Sequence, residues 1–152
     1  MLIFRSFLYA LILDQISKYI VITRFELYRS IPVIKNFFYL TFVKNTGIAF
    51  GMFRNSPLAS YILVAIGCVF LFVMIRSMRP LSKMQQIAVG LMMGGALGNL
   101  IDRFRFGAVI DFLDFRIWPV FNLADTFISV SAFIFLLLIL KKEDASDTNS
   151  KG

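Results

Sequence analysis

The sequence predicts an all-α membrane protein with four transmembrane helices and a small extra-membrane β-hairpin or sheet between the first and second helices. Of its 152 residues, 59% are hydrophobic and 16% are charged, whereas an average soluble domain is about 45–50% apolar and about 25% charged. Four long apolar spans predict the helices, and an alternating aromatic segment after the first span predicts the hairpin.

Each apolar span approaches the roughly 20 residues that a helix needs to cross a bilayer. The spans cover about residues 2–23, 55–75, 84–101 and 119–140. The first contains Asp14 in its middle and has no small-x-small cleavage site after it, so it is predicted to be a retained helix rather than a signal peptide. Four spans place both termini on one side of the membrane. The short basic loop at residues 76–83 predicts that this side is the cytoplasm.

The segment between the first two spans, about residues 24–56, is predicted to lie outside the membrane. Residues 37–43 read FFYLTFV, an alternating aromatic and β-branched pattern that is typical of a strand. KNTG then supplies a turn and IAFGMF a second strand, which predicts a hairpin on the outer membrane surface. Residues 1–142 are predicted to form one domain, and the polar tail at residues 143–152 is predicted to be disordered.

Composition excludes several classes of enzyme and partner. The chain has no histidine, which removes Ser-His-Asp and Cys-His nucleophile systems and HExxH zinc sites. The single cysteine, Cys68, lies in an apolar span and is interpreted as a small packed hydrophobe. No zinc-ligand spacing is present, and no cofactor or metal is predicted. The net charge of +7 comes largely from bases that flank the spans, which favours membrane lipids over nucleic acid as partners.

Polar residues inside the apolar spans need partners, because an isolated charge in a bilayer is costly. Asp14 and Lys18 are four residues apart on one helix face. They can form an ion pair that makes both charges tolerable, or they can lie directly at an active site.

The third span ends in GGALGNLIDRF. Its Gly94 and Gly98 form a small-xxx-small pair at which helices can approach closely. Asn99 and Arg103 are four residues apart, so they can face one partner, and the buried polar groups of Asn99 and Asp102 require hydrogen bonds. Arg103 alone could be an interfacial anchor.

Three aspartates lie in the apolar stretch at residues 109–126. Asp111 and Asp125 belong to the same membrane face, with Asp125 predicted to lie about six residues into the fourth helix. Two carboxylates brought together in a medium of low dielectric constant share a proton, and such a dyad can cleave a peptide bond. A proton-binding site in a transporter and a purely structural role stay open as alternatives. Asp114 is predicted to pair with Arg116 at the solvated rim.

Five blocks are recognisable in order: DQISK, NTGIAFG, GGALGNLIDR, VIDF and FNLAD. Together they resemble the signature blocks of lipoprotein signal peptidase, also called signal peptidase II. That family consists of bacterial inner-membrane aspartyl proteases with four transmembrane helices. The resemblance implies cleavage of prolipoprotein signal peptides just before a cysteine that carries a diacylglyceryl group. It also implies membrane lipids as partners, and a monomer is expected.

The resemblance also implies roles for individual residues. The matching catalytic pair is Asp111 and Asp125. Supporting or substrate-contacting roles are implied for Asp14, Lys18, Asn45, Gly47, Phe50, Asn99, Asp102, Arg103, Asn122 and Ala124. Gly47 and Phe50 are expected to help cover the scissile bond and exclude bulk water. A proton-coupled transporter is less favoured, because neither internal repeats nor broken helices are evident.

Overall fold

The computed structural model describes residues 1–47, positions 69, 72, 73 and 76, and residues 81–150, with side chains as far as residue 141. In chain order its elements are α1 (Leu2–Arg24), β1 (Ser30–Ile34), β2 (Phe38–Asn45), α2 (Lys83–Phe106), β3 (Val109–Asp114) and α3 (Leu123–Ser150). Apart from positions 69, 72 and 73, the predicted second span falls outside the described residues, as do Cys68 and Phe50.

Three helices in the described part of the chain are long and apolar enough to cross a membrane. They correspond to the predicted first, third and fourth spans. The buried positions on α1 are Ala10, Asp14, Lys18 and Val21, while apolar side chains such as Ile12 and Ile16 are exposed. The charged side chains of Asp14 and Lys18 therefore face inward, while large apolar side chains cover much of the outward surface, which suits a bilayer environment.

Glycines on α2 allow its neighbours to approach closely. A methyl group at Gly94 would collide with the backbone of α1 at Phe7 and with Ala10, and one at Gly95 would collide with the Ala124 carbonyl of α3. A methyl group at Gly98 would meet the Asp14 carboxylate. The close helix approach predicted for this glycine-rich stretch is confirmed, and it brings both α1 and α3 against α2.

Within the described residues, three strands form an antiparallel sheet in the order β1-β2-β3. Strand β2 confirms the strand predicted at residues 37–43. The predicted partner at residues 48–53 lies outside the described residues, and β2 pairs instead with β1 and with β3. Limiting the β structure to the segment between the first two helices was wrong, because β3 follows α2. Five of its six residues are buried, and a strand buried on both faces lacks the regular alternation of apolar and polar residues that predicts a strand.

The sheet packs on the ends of the helices rather than standing apart from them. Val21 near the end of α1 forms one buried cluster with Phe42 of β2 and with Ile110 and Phe112 of β3. Helices α1 and α2 both run toward the sheet, and α3 starts beside it at an isolated bridge between Leu113 and Phe121. The sheet thus lies where two helices end and a third begins.

Both ends of α3 differ from the sequence-based expectation. The helix begins at Leu123, so Asp125 lies in its first turn and not six residues along it. The side chain of Asn122 accepts a hydrogen bond from the Asp125 N–H at 2.9 Å, which makes Asn122 the N-cap. At the other end the helix is described as far as Ser150, beyond the end of the predicted span at about residue 140, and the disorder expected for residues 143–152 stays a prediction. Extending an existing helix fixes one residue for each hydrogen bond gained, which favours propagation.

Candidate active site

Asp111 lies in β3 and is almost completely buried, with 2% of its surface exposed. Its Oδ1 accepts a hydrogen bond from Asn122 Nδ2 at 2.7 Å, and its Oδ2 accepts one from Asn45 Nδ2 at 2.9 Å. Burial raises the pKa of Asp111 to about 7, and the charge of the nearby Asp125 contributes to the increase. The two amide hydrogen bonds and the charge of Lys18 oppose it. Asp111 is therefore a carboxyl group that can hold a proton near neutral pH.

Asp125 lies in the first turn of α3 and is only partly buried. Its Oδ1 accepts a hydrogen bond from Asn99 Nδ2 of α2 at 2.8 Å. An acidic residue at this position also interacts favourably with the positive end of the helix dipole. The fold thus gives the two aspartates different surroundings, since Asp111 is enclosed and Asp125 is more open.

The amide of Asn122 joins the two aspartates. Its Nδ2 donates to Asp111, to the Ile110 carbonyl at 3.3 Å and to Asn99 Oδ1 at 3.1 Å, while its Oδ1 caps the N–H of Asp125. A backbone carbonyl can only accept and a backbone N–H can only donate, so these contacts fix which end of the amide faces which aspartate. The structure thus brings the Asp111 carboxylate and the Asp125 backbone to a single side chain, while the dyad itself stays a prediction.

Strand β2 supplies a second oriented amide. The N–H of Gly47 donates to Asn45 Oδ1 at 3.0 Å, which leaves Asn45 Nδ2 to donate to Asp111. Gly47 is itself buried. The role predicted for Asn45 as a supporting residue agrees with this geometry, whereas the covering role expected for Gly47 and Phe50 stays a prediction.

Lys18 lies at the centre of a buried ionic cluster. Its Nζ is 2.9 Å from Asp14 Oδ2 and 2.8 Å from Asp102 Oδ2, and it donates to Asn99 Oδ1 at 2.9 Å. The ion pair predicted between Asp14 and Lys18 is confirmed, and Asp102 is an additional partner. Gln15, which the sequence analysis did not single out, donates to both carboxylates from one side.

Each carboxylate of this cluster also holds a backbone N–H next to a candidate catalytic residue. Asp102 Oδ2 accepts from the N–H of Ile110 at 3.1 Å, and Asp14 Oδ1 accepts from the N–H of Ala124 at 3.0 Å. Ile110 immediately precedes one candidate aspartate in the chain, and Ala124 immediately precedes the other. Asp14 and Asp102 therefore bind the main chain directly beside the candidate dyad.

Asp114 lies in a different environment from Asp111. Residues three apart in a strand point to opposite faces of the sheet, and Asp114 accepts hydrogen bonds from Thr41 Oγ1 at 2.6 Å and from the Arg116 N–H at 2.9 Å. The predicted pairing with Arg116 is confirmed, with Arg116 Nε 3.6 Å from Asp114 Oδ2. The predicted location at a solvated rim was wrong, because Asp114 is only 5% exposed. The hydroxyl of Thr41 on β2 shields it.

Arg103 lies one turn after Asn99 on α2. Its Nη1 donates to the backbone carbonyl of Asn99 at 3.3 Å, and the supporting role expected for it stays a prediction.

The N-cap role of Asn122 has a signal in the sequence. In NLAD, an Asn stands three residues before an acid at the start of an apolar run, which is typical of a helix N-terminus.

Known proteins are similar to this chain in both sequence and fold. A family model described as Signal peptidase (SPase) II matches residues 6–141. The lipoprotein signal peptidase of Halothermothrix orenii is 42% identical over 140 residues, which cover 92% of this chain and 96% of the relative. That of Moorella thermoacetica is 45% identical over 133 residues, covering 88% and 85%. The structure of a bacterial membrane enzyme solved by the in meso method has a TM-score of 0.80 at 30% identity, covering 91% of this chain and 87% of that one.

Proposed function

The chain belongs to the signal peptidase (SPase) II family, and we propose from that premise that it is an intramembrane aspartyl endopeptidase. The substrates are prolipoproteins, and the bond cleaved lies just before the diacylglyceryl-modified cysteine. Asp111 and Asp125 are the catalytic pair. The curated relatives carry the name lipoprotein signal peptidase, which supports the substrate class and does not favour the alternative of a proton-coupled transporter.

One observation carries the mechanism: Asn122 contacts Asp111 through its Nδ2 and the Asp125 backbone through its Oδ1. Such a pair needs one protonated and one ionised member. Asp111, with a pKa raised to about 7 by burial and by the charge of Asp125, holds the proton. Asp125 is the more open of the two and carries the negative charge that receives a proton from water.

The proposed reaction conserves every proton. Asp125 takes a proton from water as the water oxygen attacks the scissile carbonyl carbon, and Asp111 gives its proton to the carbonyl oxygen. The tetrahedral diol then collapses as the carbon–nitrogen bond breaks. Asp125 returns its proton to the leaving amine of the cysteine, and one hydroxyl of the diol returns its proton to Asp111. The products are a signal peptide with a free carboxyl group and a mature chain with a free amino group.

The proposed location of this site is the outer face of the bacterial inner membrane, with both termini in the cytoplasm. Helices α1 and α2 end beside the sheet and α3 begins there, so the chain ends lie on the opposite side from the sheet if the helices cross. The diacyl chains of the substrate stay in the bilayer while the peptide bond meets water. Binding energy from the lipid, which is remote from the bond, positions the bond for attack.

The experiment compares two peptides of identical sequence, one with a diacylglyceryl group on the cysteine and one without. The purified full-length chain, in nanodiscs, is expected to cleave only the lipidated peptide at an appreciable rate. An Asp125→Asn preparation purified in parallel controls for contaminating proteases. Equal cleavage of the two peptides would contradict the proposed requirement for the lipid. Cleavage by the Asp125→Asn preparation at the rate of the unaltered chain would contradict the proposed catalytic pair.

A further inference from the structure

We propose that Lys18 is a positioning residue that sets the relative placement of the two candidate catalytic aspartates. This inference rests on the proposed function, because it assigns a role to Lys18 in the same site. Lys18 lies on α1, whereas the aspartates lie on β3 and α3. Its ammonium group makes no hydrogen bond or ion pair with either aspartate among the described contacts, so its positioning effect passes through other residues. Its charge also lowers the pKa of Asp111 directly.

The ammonium group of Lys18 has three N–H donors, and the structure supplies three acceptors. These are Asp14 Oδ2 at 2.9 Å, Asp102 Oδ2 at 2.8 Å and Asn99 Oδ1 at 2.9 Å. The side chain is 2% exposed, so water cannot readily replace any of the three. A lysine ammonium is a donor in all directions and accepts no hydrogen bond. The three acceptors are consequently drawn to one point.

Two of the acceptors, Asp102 and Asp14, connect Lys18 to the backbone beside the candidate dyad. Asp102 binds the N–H of Ile110, directly before Asp111, and Asp14 binds the N–H of Ala124, directly before Asp125. Lys18 therefore links the strand that carries one aspartate to the helix turn that carries the other.

The third acceptor, Asn99, connects Lys18 to the side chain of Asp125. Because Lys18 requires an oxygen, Asn99 must present Oδ1 to it, and the Nδ2 of Asn99 is left to face Asp125 at 2.8 Å. The reversed amide would put an NH2 group against the ammonium and an oxygen against the carboxylate. Lys18 thus fixes the direction of the hydrogen bond that Asp125 receives.

A charge-balanced double variant separates this role from simple stabilisation. Lys18→Met alone leaves two buried carboxylates without a counter-charge, which is strongly destabilising. Lys18→Met/Asp102→Asn keeps the net charge of the Lys18, Asp14 and Asp102 cluster at minus one, as in the unaltered chain, and the new amide oxygen can still accept from the N–H of Ile110. The single variant Asp102→Asn controls for the exchange at position 102, because Lys18 keeps three oxygen acceptors in it, and the unaltered chain controls for the net charge of the cluster.

The measurements are kcat and KM for a lipidated peptide, with the folded fraction determined by size exclusion and thermal unfolding. We expect kcat per folded molecule of Lys18→Met/Asp102→Asn to be about 10²-fold below those of Asp102→Asn and of the unaltered chain. KM should agree within about threefold, because the Lys18 side chain is only 2% exposed and cannot readily contact a substrate. Ser17→Ala, which removes a hydroxyl bonded to the Asp14 carbonyl on the same helix, should keep the kcat of the unaltered chain.

Three outcomes would overturn the proposal. These are equal kcat for the double variant and Asp102→Asn, a loss confined to KM, and failure of the double variant to fold when Asp102→Asn folds. The last would assign Lys18 to fold stability instead. The Asp125→Asn variant, assayed alongside, distinguishes failure of the proposed function from failure of the role assigned to Lys18. If it is active, the proposed function fails, whereas if it is inactive and Lys18 proves dispensable, only this inference fails.

Discussion

The exchange of either candidate aspartate for asparagine is expected to abolish cleavage, but the two exchanges should differ in their effect on stability. The described residues place one amide donor, Asn99, on the Asp125 carboxylate. An asparagine at 125 can offer its own oxygen to that donor, so the free energy of unfolding should change by less than about 1 kcal/mol. What is lost is the ability to accept a proton from water.

At position 111 both carboxylate oxygens accept from NH2 groups that cannot turn round. Asn122 is fixed by backbone partners and Asn45 by the N–H of Gly47. An asparagine at 111 must therefore direct its own NH2 group at one of them, which leaves a buried donor unsatisfied at a cost of about 1–3 kcal/mol. A protonated aspartic acid avoids this conflict, because its hydroxyl oxygen keeps an acceptor lone pair.

The magnitude for turnover follows from general acid–base catalysis, which contributes about 10²–10⁴-fold, or about 3–5 kcal/mol of barrier at 1.36 kcal/mol per tenfold. The assay is kcat on a lipidated peptide, paired with thermal unfolding of each variant in the same nanodiscs. Asp125→Asn should be inactive with an unchanged Tm, and Asp111→Asn inactive with a lower one. More than a tenth of the original kcat in either variant, or an equal loss of Tm in both, would refute the reasoning.

Three further outcomes are expected. Asn45→Ala removes a hydrogen bond that lowers the pKa of Asp111, so that pKa should rise further. The alkaline limb of the kcat/KM profile, which reflects loss of the shared proton near pH 7, should therefore move to higher pH. An alkaline limb that stays in place or moves to lower pH would contradict the assignment of the proton to Asp111. Asp114→Asn should keep kcat within about tenfold while lowering Tm, because it loses part of the contacts that join two strands, and an inactive but folded variant would mean that the wrong pair was chosen. Gly98→Ala should cost about 1–3 kcal/mol of stability by forcing its methyl group against the Asp14 carboxylate, and an unchanged unfolding transition would show that the helices can separate freely.

Local patterns in the sequence predicted the local parts of this structure. The ion pair between Asp14 and Lys18 follows from a spacing of four in one helix, and strand β2 follows from its alternation. The third partner of that cluster, Asp102, could not be predicted, because its contact with Lys18 depends on how two helices pack. The pairing of β2 with β3 was missed for a related reason. Asn45 and Asp111 are 66 residues apart in the chain, and no periodicity records such a pairing.

Residue types and the five family blocks indicated the residues of the candidate site, but not the hydrogen bonds that connect them. Nothing in the sequence indicates that the carboxylates of Asp14 and Asp102 each hold the N–H preceding a candidate catalytic residue. The N-cap at Asn122 was available from the pattern in NLAD, and using it would have placed Asp125 in the first turn of its helix. Local capping chemistry was thus readable, whereas the converging hydrogen bonds were a product of tertiary packing.

The order in which the sheet and α3 appear along the chain has a consequence for how the protein is made. Strand β3 and the first turn of α3 are synthesised after α1, β2 and α2, and both must reach their places before Asp111 and Asp125 share the amide of Asn122. A nascent chain that ends before α3 therefore lacks the assembled candidate dyad. Under the proposed function such an incomplete chain is inactive, so cleavage of precursors has to await the synthesis of α3.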